Sequence, residues 1–157
     1  CTPIIFGSVK VVAIHRKAIE IQDFNFNIIN KIEDALPKKA NLLNLWNDEV
    51  EINFGKTSTR SGELSFDSLK QATQALKDKK IDVLVTAPIN KSSIQEKVSD
   101  FIGHTEFLQG NFEGESLMIM HSEVMKIAFV TGHVALTDVK KAITTKNIYD
   151  KIMSCPN

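Results

Sequence analysis

The sequence has few cysteines and no long apolar run, which excludes disulfide-rich and membrane-spanning proteins. Its 157 residues include two cysteines, Cys1 and Cys155, which are too few for a disulfide framework and are not spaced like zinc ligands. Its apolar runs are only a few residues long, whereas a membrane helix needs about 18. No stretch resembles a signal peptide. We therefore expect a soluble protein of a reducing cytoplasm, with no membrane partner.

An excess of charge of one sign is also lacking. The chain carries 19 basic and 19 acidic residues, and 43% of its residues are hydrophobic. A net charge near zero, with no long run of one sign, argues against nucleic-acid binding or a membrane-surface role driven by bulk electrostatics. The length and the hydrophobic fraction suffice for one domain with a sizeable core.

The two ends of the chain do not resemble native termini. There is no initiator methionine, and an apolar run at residues 4–6 follows directly after Cys1-Thr2-Pro3. A native terminus usually has some polar residues before its first element. We expect residues 1–157 to be a single α/β fragment from the central part of a longer protein.

Hydrophobic periodicity predicts strands that alternate with helices. An alternation of this kind is typical of an α/β fold in which helices flank a sheet. The segment 81–85, apolar apart from Asp82, is typical of a strand covered on both faces, and a Ser/Thr-rich loop is predicted at 57–62. Strands are predicted at 4–6, 24–28, 42–46, 81–85, 117–120 and 127–130, and the last two are expected to be buried neighbours in the sheet. Helices are predicted at 8–18, at 103–109 and at 144–154. Two further helices are predicted, one that begins at 65 or 67 and ends at 80 and one that begins at 137 or 138.

Polar and cationic residues follow two of these predicted strands. Lys91 ends the segment that leaves strand 81–85, and His133 lies just beyond strand 127–130. Ligands of open α/β sheets bind beyond the carboxyl ends of the strands. A lysine can pair with a phosphate or carboxylate, and a neutral histidine can bind a metal ion.

A third candidate, His104, follows Gly103 at a predicted helix start. Backbone N–H groups and the helix dipole favour an anion there. Ordinary structural interpretations remain open, since most loop lysines are solvated and most lone histidines are hydrogen-bonded structural residues. We interpret His15 as a surface residue and His121 as a turn residue. Spacing alone indicates an anion site and nothing more specific.

Three sequence blocks, taken together, resemble a known enzyme family. Their order and spacing are similar to those of the 4-hydroxythreonine-4-phosphate dehydrogenases of vitamin B6 biosynthesis, and the resemblance covers essentially the whole chain. It implies the central portion, truncated at both ends, of a two-lobed α/β fold like that of the isocitrate and isopropylmalate dehydrogenases, with a mixed sheet flanked by helices. The blocks are Thr86-Ala87-Pro88-Ile89-Asn90-Lys91, Gly103-His104-Thr105-Glu106-Phe107-Leu108 and Thr131-Gly132-His133-Val134-Ala135-Leu136, with Phe101 between the first two.

The resemblance implies an enzyme that depends on NAD and on a divalent metal ion (Zn, Mg or Co). Such an enzyme oxidises 4-phosphooxy-L-threonine, and the resulting β-keto acid loses carbon dioxide to give 3-amino-2-oxopropyl phosphate. A divalent ion that holds the substrate hydroxyl favours its deprotonation and later polarises the ketone. The nicotinamide takes up the hydride.

The resemblance also implies roles for individual residues. His104 and Thr105 match the substrate-binding pair of the family, and Lys91 matches a lysine that we expect near the substrate. His133 matches the first of three metal-binding histidines, of which the other two lie downstream in the family. No catalytic residue is assigned. One histidine cannot hold a catalytic ion, so we expect this chain alone to be inactive; the resemblance also implies a homodimer.

Three positions depart from the family pattern and leave the substrate open. Val98, Ile102 and Ala135 stand where a glycine, a small hydroxyl residue and a proline are usual. A related dehydrogenase of phosphorylated threonate or erythronate is therefore an alternative. Two further alternatives are an acyl-phosphate transferase of similar architecture and a folded dimerisation lobe without catalysis.

Overall fold

A computed structural model describes residues 1–21, 23–132 and 134–155. The chain divides into two compact units, Cys1–Phe112 and Glu113–Asn157. None of the helices in the described ranges is long and apolar enough to cross a membrane. That residues 1–157 are a single α/β fragment from the central part of a longer two-lobed protein stays a prediction.

Three short parallel strands form the sheet of the first unit. Strands β1 (Ile4–Gly7) and β2 (Asn27–Ile29) both pair with β3 (Asn41–Asn44), so the order is β1-β3-β2. In the register, Leu42 of β3 lies opposite Ile5 and Ile28. Because β3 has a neighbour on each side, its first three residues are buried. The strands predicted at 4–6 and 42–46 are confirmed, with small shifts of their ends, whereas the strand predicted at 24–28 begins only at Asn27, so Phe24 and Phe26 precede it.

Helix α1 (Val9–Ala18) leads from β1 towards β2, as the periodicity predicts. Its last turn contains His15, Arg16 and Lys17, and cations suit the negative end of a helix dipole. The exposed position predicted for His15 is confirmed: its ring meets that of Phe54 edge-on, with 5.3 Å between the centroids.

Three helices complete the first unit: α2 (Thr59–Lys77), α3 (Lys91–Gln95) and α4 (His104–Asn111). Helix α2 begins within the segment 57–62 that the sequence predicts as a loop. The reason is a capping interaction, in which the Ser58 side chain accepts a hydrogen bond from the Ser61 N–H at 3.1 Å.

The strand predicted at 81–85 is wrong. Val83 and Val85 are 73% and 87% exposed, and no strand pairing involves this segment among the described residues. An apolar run supplies the side chains of a buried strand but not its backbone partner, and a strand exists only where a neighbour accepts and donates its hydrogen bonds.

The second unit contains a hairpin and two helices. Strands β4 (Ile119–His121) and β5 (Lys126–Ala128) pair antiparallel, followed by α5 (Leu136–Ala142) and α6 (Thr145–Met153). The hairpin and both helices confirm the predicted elements. The prediction of His121 as a turn residue is wrong, since His121 is the last residue of β4 and pairs with Lys126. The predicted burial of the hairpin is wrong: all its strand residues are exposed, because two strands alone provide no second layer to cover them.

A surface ion pair links the 3-10 turn at Ile32–Asp34 to the segment after α2. Glu33 Oε1 lies 3.2 Å from Lys80 Nζ. The backbone N–H of Glu33, then the Lys80 ammonium group, lower the pKa of the Glu33 carboxyl below its ordinary value of 4.5. Because the pKa of Glu33 is lower in the folded state, the ion pair stabilises the fold fully at pH values above 4.5. This stabilisation is lost as the pH falls through the lowered pKa.

We expect the Lys80→Met variant to raise the titration midpoint of Glu33 towards 4.5. The Lys80 ammonium group favours the ionised carboxylate, so its removal makes protonation easier. The midpoint is measured from the carboxyl carbon chemical shift of Glu33. Lys77→Met serves as the matched lysine control, and equal midpoints in both variants would contradict the assignment.

Candidate anion-binding site

The first candidate residue, Lys91, begins helix α3 rather than following a strand. The helix is capped by Asn90, whose Oδ1 accepts hydrogen bonds from the Ser93 N–H at 3.0 Å and from the Ser93 hydroxyl at 3.2 Å. Ser93 and Ile94 are buried, whereas Lys91 is exposed. The cap and the buried residues therefore fix the backbone from which Lys91 extends.

Replacing Asn90 with alanine is expected to lower the free energy of unfolding by about 1 kcal/mol. The Ser93 N–H and hydroxyl both lose their acceptor. Urea denaturation of the chain measures the change, and Asn90→Asp, which keeps an acceptor at the cap, is expected to stay close to the unsubstituted chain. An alanine variant of unchanged stability would show that the cap contributes nothing.

The second candidate pair, His104 and Thr105, lies where the sequence places it, at a helix start. Helix α4 begins at His104, with Gly103 as the capping residue and no side-chain cap. His104 is half-buried and Thr105 is exposed. The backbone N–H groups of a first turn have no intrahelical partner, so this helix start provides hydrogen-bond donors and the positive end of a dipole.

A cluster of aromatic and aliphatic side chains holds these two helix starts. Phe101 precedes α4, and its ring centroid lies 6.3 Å from that of Phe107 and 5.4 Å from that of Phe66 on α2. Ile94 of α3 belongs to the same buried cluster. Gln95 also donates a hydrogen bond to the Phe101 carbonyl at 2.8 Å. The site is therefore built on a packed core rather than on mobile loops.

The Lys91 side chain lies next to Gly103, the capping residue of α4. A Cβ atom added to this buried glycine would lie 3.3 Å from Lys91 Nζ and 3.1 Å from Glu106 Oε2. The Gly103 φ of 169° is extended backbone that any residue adopts, so a side chain at this position would be opposed by the neighbouring side chains and not by the backbone conformation. Residues of the first and second sequence blocks therefore lie side by side, and the Lys91 ammonium group lies at the positive, N-terminal end of α4.

Among the residues that the structure describes, the side chains do not form a metal site. His133, the predicted metal ligand, lies outside the described residues. Within the described ranges, no group of three or more His, Cys, Asp or Glu side chains is placed to hold a metal ion. Catalytic sites for ions such as zinc take three protein ligands, so the residues described do not by themselves fit such a group.

Sequence reasoning missed two features of this site, the space at Gly103 and the carboxylate of Glu106. Both residues belong to the block that contains His104 and Thr105. The signal available in the sequence was a glycine directly before a helix start with an acidic residue in the first turn. That signal does not reveal which side chain from another helix fills the space.

The three-stranded parallel sheet, the antiparallel hairpin and the helices define an α/β protein. Comparison with known proteins gives the family. The profile of the family described as "Pyridoxal phosphate biosynthetic protein PdxA" matches residues 1–157, and the chain belongs to this family. The resemblance of its three sequence blocks is thereby confirmed.

Relatives in other organisms support this assignment. The 4-hydroxythreonine-4-phosphate dehydrogenase of Bacteroides thetaiotaomicron is 39% identical over 156 residues, which are 98% of this chain and 42% of the relative. The protein of the same name from Sulfurihydrogenibium sp. is 33% identical, over 95% of this chain and 46% of the relative. A Clostridium botulinum protein named "Putative D-threonate 4-phosphate dehydrogenase" is 31% identical, over 99% and 47%. The chain spans a little under half the length of these curated relatives.

Solved structures show the same fold. The crystal structure of a 4-hydroxythreonine-4-phosphate dehydrogenase from Burkholderia phymatum matches with a TM-score of 0.83 and 21% identity, over 98% of this chain and 47% of that chain. The one from Klebsiella pneumoniae matches with a TM-score of 0.78 and 18% identity, over 96% and 46%. The predicted α/β class is confirmed, and the closer likeness to isocitrate and isopropylmalate dehydrogenases stays a prediction.

Proposed function

We propose that this chain is the substrate-binding part of a 4-hydroxythreonine-4-phosphate dehydrogenase of pyridoxal phosphate biosynthesis. The complete enzyme oxidises 4-phosphooxy-L-threonine with NAD, and the product decarboxylates to 3-amino-2-oxopropyl phosphate. The observation that carries the proposal is the family match over all 157 residues, and the names of the relatives supply the reaction.

The residues of this chain supply binding of the anionic substrate. The Lys91 ammonium group lies beside the start of α4, so that a positive charge and the backbone N–H groups of a helix start are close together. Phosphate and carboxylate groups bind to helix N-termini and to lysine through these interactions. His104 and Thr105, the first two residues of α4, add a ring nitrogen and a hydroxyl at the same place.

The cofactors of the proposed enzyme require groups beyond those described. We assign His133 as one ligand of a divalent ion (Zn, Mg or Co), with the further ligands outside this chain. We propose NAD as the hydride acceptor, and the relatives named as dehydrogenases support a redox reaction of this kind. We also propose a cytoplasmic homodimer with the two-lobed fold of the isocitrate and isopropylmalate dehydrogenases.

A second candidate substrate is a phosphorylated threonate or erythronate. It is favoured by the Clostridium botulinum relative, which is named for D-threonate 4-phosphate. Threonate carries a hydroxyl where threonine carries an ammonium group. Ile102, which departs from the family pattern, is 61% exposed directly beside Gly103, so it lies where it can affect the choice of substrate.

A chimera tests the reaction. Residues 1–157 replace the matching segment of the Bacteroides relative, and NADH absorbance is followed with 4-phosphooxy-L-threonine, with and without a chelator. We expect chelator-sensitive NADH formation by the chimera and none by the chain alone. Turnover only with phosphorylated D-threonate would establish the second substrate. A folded, dimeric chimera that is inactive on both would contradict a dehydrogenase and favour the dimerisation lobe.

Variants of the chimera test the site residues. Lys91→Met is expected to raise KM about tenfold or more, because a charged hydrogen bond contributes about 1.5–3 kcal/mol. His133→Ala is expected to abolish the chelator-sensitive turnover. Lys97→Met and the exposed His15→Ala are the matched controls. If Lys91→Met and Lys97→Met gave the same KM, the substrate role of Lys91 would be wrong.

A further inference from the structure

The segment 81–85 has the side chains of a buried strand in an exposed position. Val83 and Val85 are 73% and 87% exposed, and the segment is apolar apart from Asp82. A strand that is apolar on both faces is typical of a sheet with a covering layer on each side. The two valines are therefore exposed to water in a sequence that suits the interior of a sheet.

The backbone of segment 81–85 is available as well. Among the described residues, no hydrogen bond involves its backbone N–H or carbonyl groups. Water can satisfy these groups while they are exposed, but burial requires protein partners. An unpaired edge of this kind can accept a further strand, which binds through main-chain hydrogen bonds.

One side of the segment is already attached to the core of the first unit. Leu84 is half-buried and packs against the cluster of Leu69, Ile94 and Phe101. The valines on either side of Leu84 are exposed instead. The core therefore covers one side of the segment and leaves the other side open to a partner.

The relatives indicate where such a partner comes from. The curated relatives are more than twice as long as the part that this chain matches. In the Burkholderia structure the matching fold likewise occupies 47% of the chain. We propose that segment 81–85 is a docking site for an extended apolar strand from the part of the family's chain that lies beyond the matched residues. That strand pairs with the backbone of the segment and brings the layer that covers Val83 and Val85.

A second copy of this chain fits the segment less well. Two copies that pair antiparallel about a twofold axis bring their core clusters to the same face of the new strand pair. Val83 and Val85 of both copies then stay uncovered on the other face, and two strands without a second layer are marginally stable. A strand from a larger partner supplies both the backbone pairing and the cover.

Amide hydrogen exchange, followed by mass spectrometry, tests the docking in the chimera and in the chain alone. We expect the amides of segment 81–85 to exchange freely in the chain alone and about a hundredfold more slowly, or slower still, in the chimera. Helix α2 is the internal control and is expected to be protected in both proteins. Free exchange of the segment in a folded chimera would overturn the proposal.

The chain alone also tests the second copy. If segment 81–85 were protected there, and more so at higher protein concentration, the segment would pair with another copy and the proposed occupant would be wrong. Light scattering on the same samples gives the mass of the particle. We expect the exchange of the segment in the chain alone to be independent of concentration.

A charged substitution tests whether Val85 becomes buried. Val85→Lys is expected to leave the urea midpoint of the chain alone unchanged and to lower that of the chimera, because a charge is costly to bury. The matched control is Val124→Lys between β4 and β5, where the valine is 93% exposed; it is expected to leave both midpoints unchanged. Equal midpoints of the two chimera variants would contradict the burial of Val85.

The docking is independent of the proposed reaction. A chimera that protects segment 81–85 but forms no NADH would contradict the dehydrogenase and support the docking site. An active chimera in which the segment exchanges freely would support the dehydrogenase and overturn the docking site.

Discussion

The Gly62→Ala variant is expected to lose about 3 kcal/mol or more of unfolding free energy, although it adds only one methyl group. Gly62 is buried in α2, and an added Cβ would lie 2.8 Å from the Ile94 backbone nitrogen and closer still to the Ser93 carbonyl carbon and oxygen. All three are backbone atoms of α3. They cannot rotate away as a side chain does, so the whole helix must shift.

The same substitution is expected to disturb the candidate site. Helix α3 carries Lys91 at its first residue and Ile94 in the core. The hydrogen bond from the Thr59 hydroxyl of α2 to the carboxylate of Glu96, the residue that follows α3, depends on the same spacing. A shifted α3 would move Lys91 away from Gly103 as well as weaken the fold.

Urea denaturation of Gly62→Ala and Gly110→Ala separates this contact from the general effect of replacing a helical glycine. Gly110 lies in α4, and an added Cβ there meets no atom of another described segment within 4 Å. Alanine at this position is expected to be neutral or to stabilise the chain by up to about 1 kcal/mol through its helix propensity. Equal effects of the two substitutions would contradict the close approach of α2 and α3.

The Asn41→Ala variant is expected to lose about 3–5 kcal/mol. Asn41 is 0% exposed. Its Nδ2 lies 3.1 Å from the Pro3 carbonyl oxygen, and its Oδ1 accepts hydrogen bonds from Asn27 Nδ2 at 2.8 Å and from the Leu36 N–H at 2.9 Å. Alanine would leave several of these groups buried without a partner, and each such group costs about 1–3 kcal/mol.

The control for this prediction is Asn53→Ala. Asn53 is exposed and donates a hydrogen bond to the Glu51 carboxylate at 2.9 Å; its loss is expected to change stability by no more than about 0.5 kcal/mol. Denaturation followed by far-UV circular dichroism measures both variants. If Asn41→Ala were no less stable than Asn53→Ala, the buried amide would not be holding the strand ends together.

Local patterns predicted most of the elements correctly. The strand at residues 4–6 and the helix at 8–18 follow from periodicities that a few consecutive residues contain, and the structure has β1 and α1 there. The start of α4 follows from Gly103 and His104 in the same way. Such features depend on neighbours in the chain, which the sequence displays directly.

Two of the wrong predictions concern features that need a distant partner. Segment 81–85 has the side chains of a buried strand but is not paired in the described part of the chain. The hairpin of β4 and β5 has apolar side chains and remains exposed. In both cases the sequence shows what a segment could bury, whereas burial itself depends on a second layer.

The candidate site, too, could be predicted only in part from the sequence. The sequence alone determined the family, through three ordered blocks that keep their residues and spacing, and it named Lys91, His104 and Thr105 without any coordinates. Only the tertiary structure decided that Lys91 and Glu106 share the space at Gly103, and that Gly62 touches the backbone of α3. A motif consists of residues that are close in sequence, whereas these contacts join separate helices. Their distances depend on how the helices pack on the core.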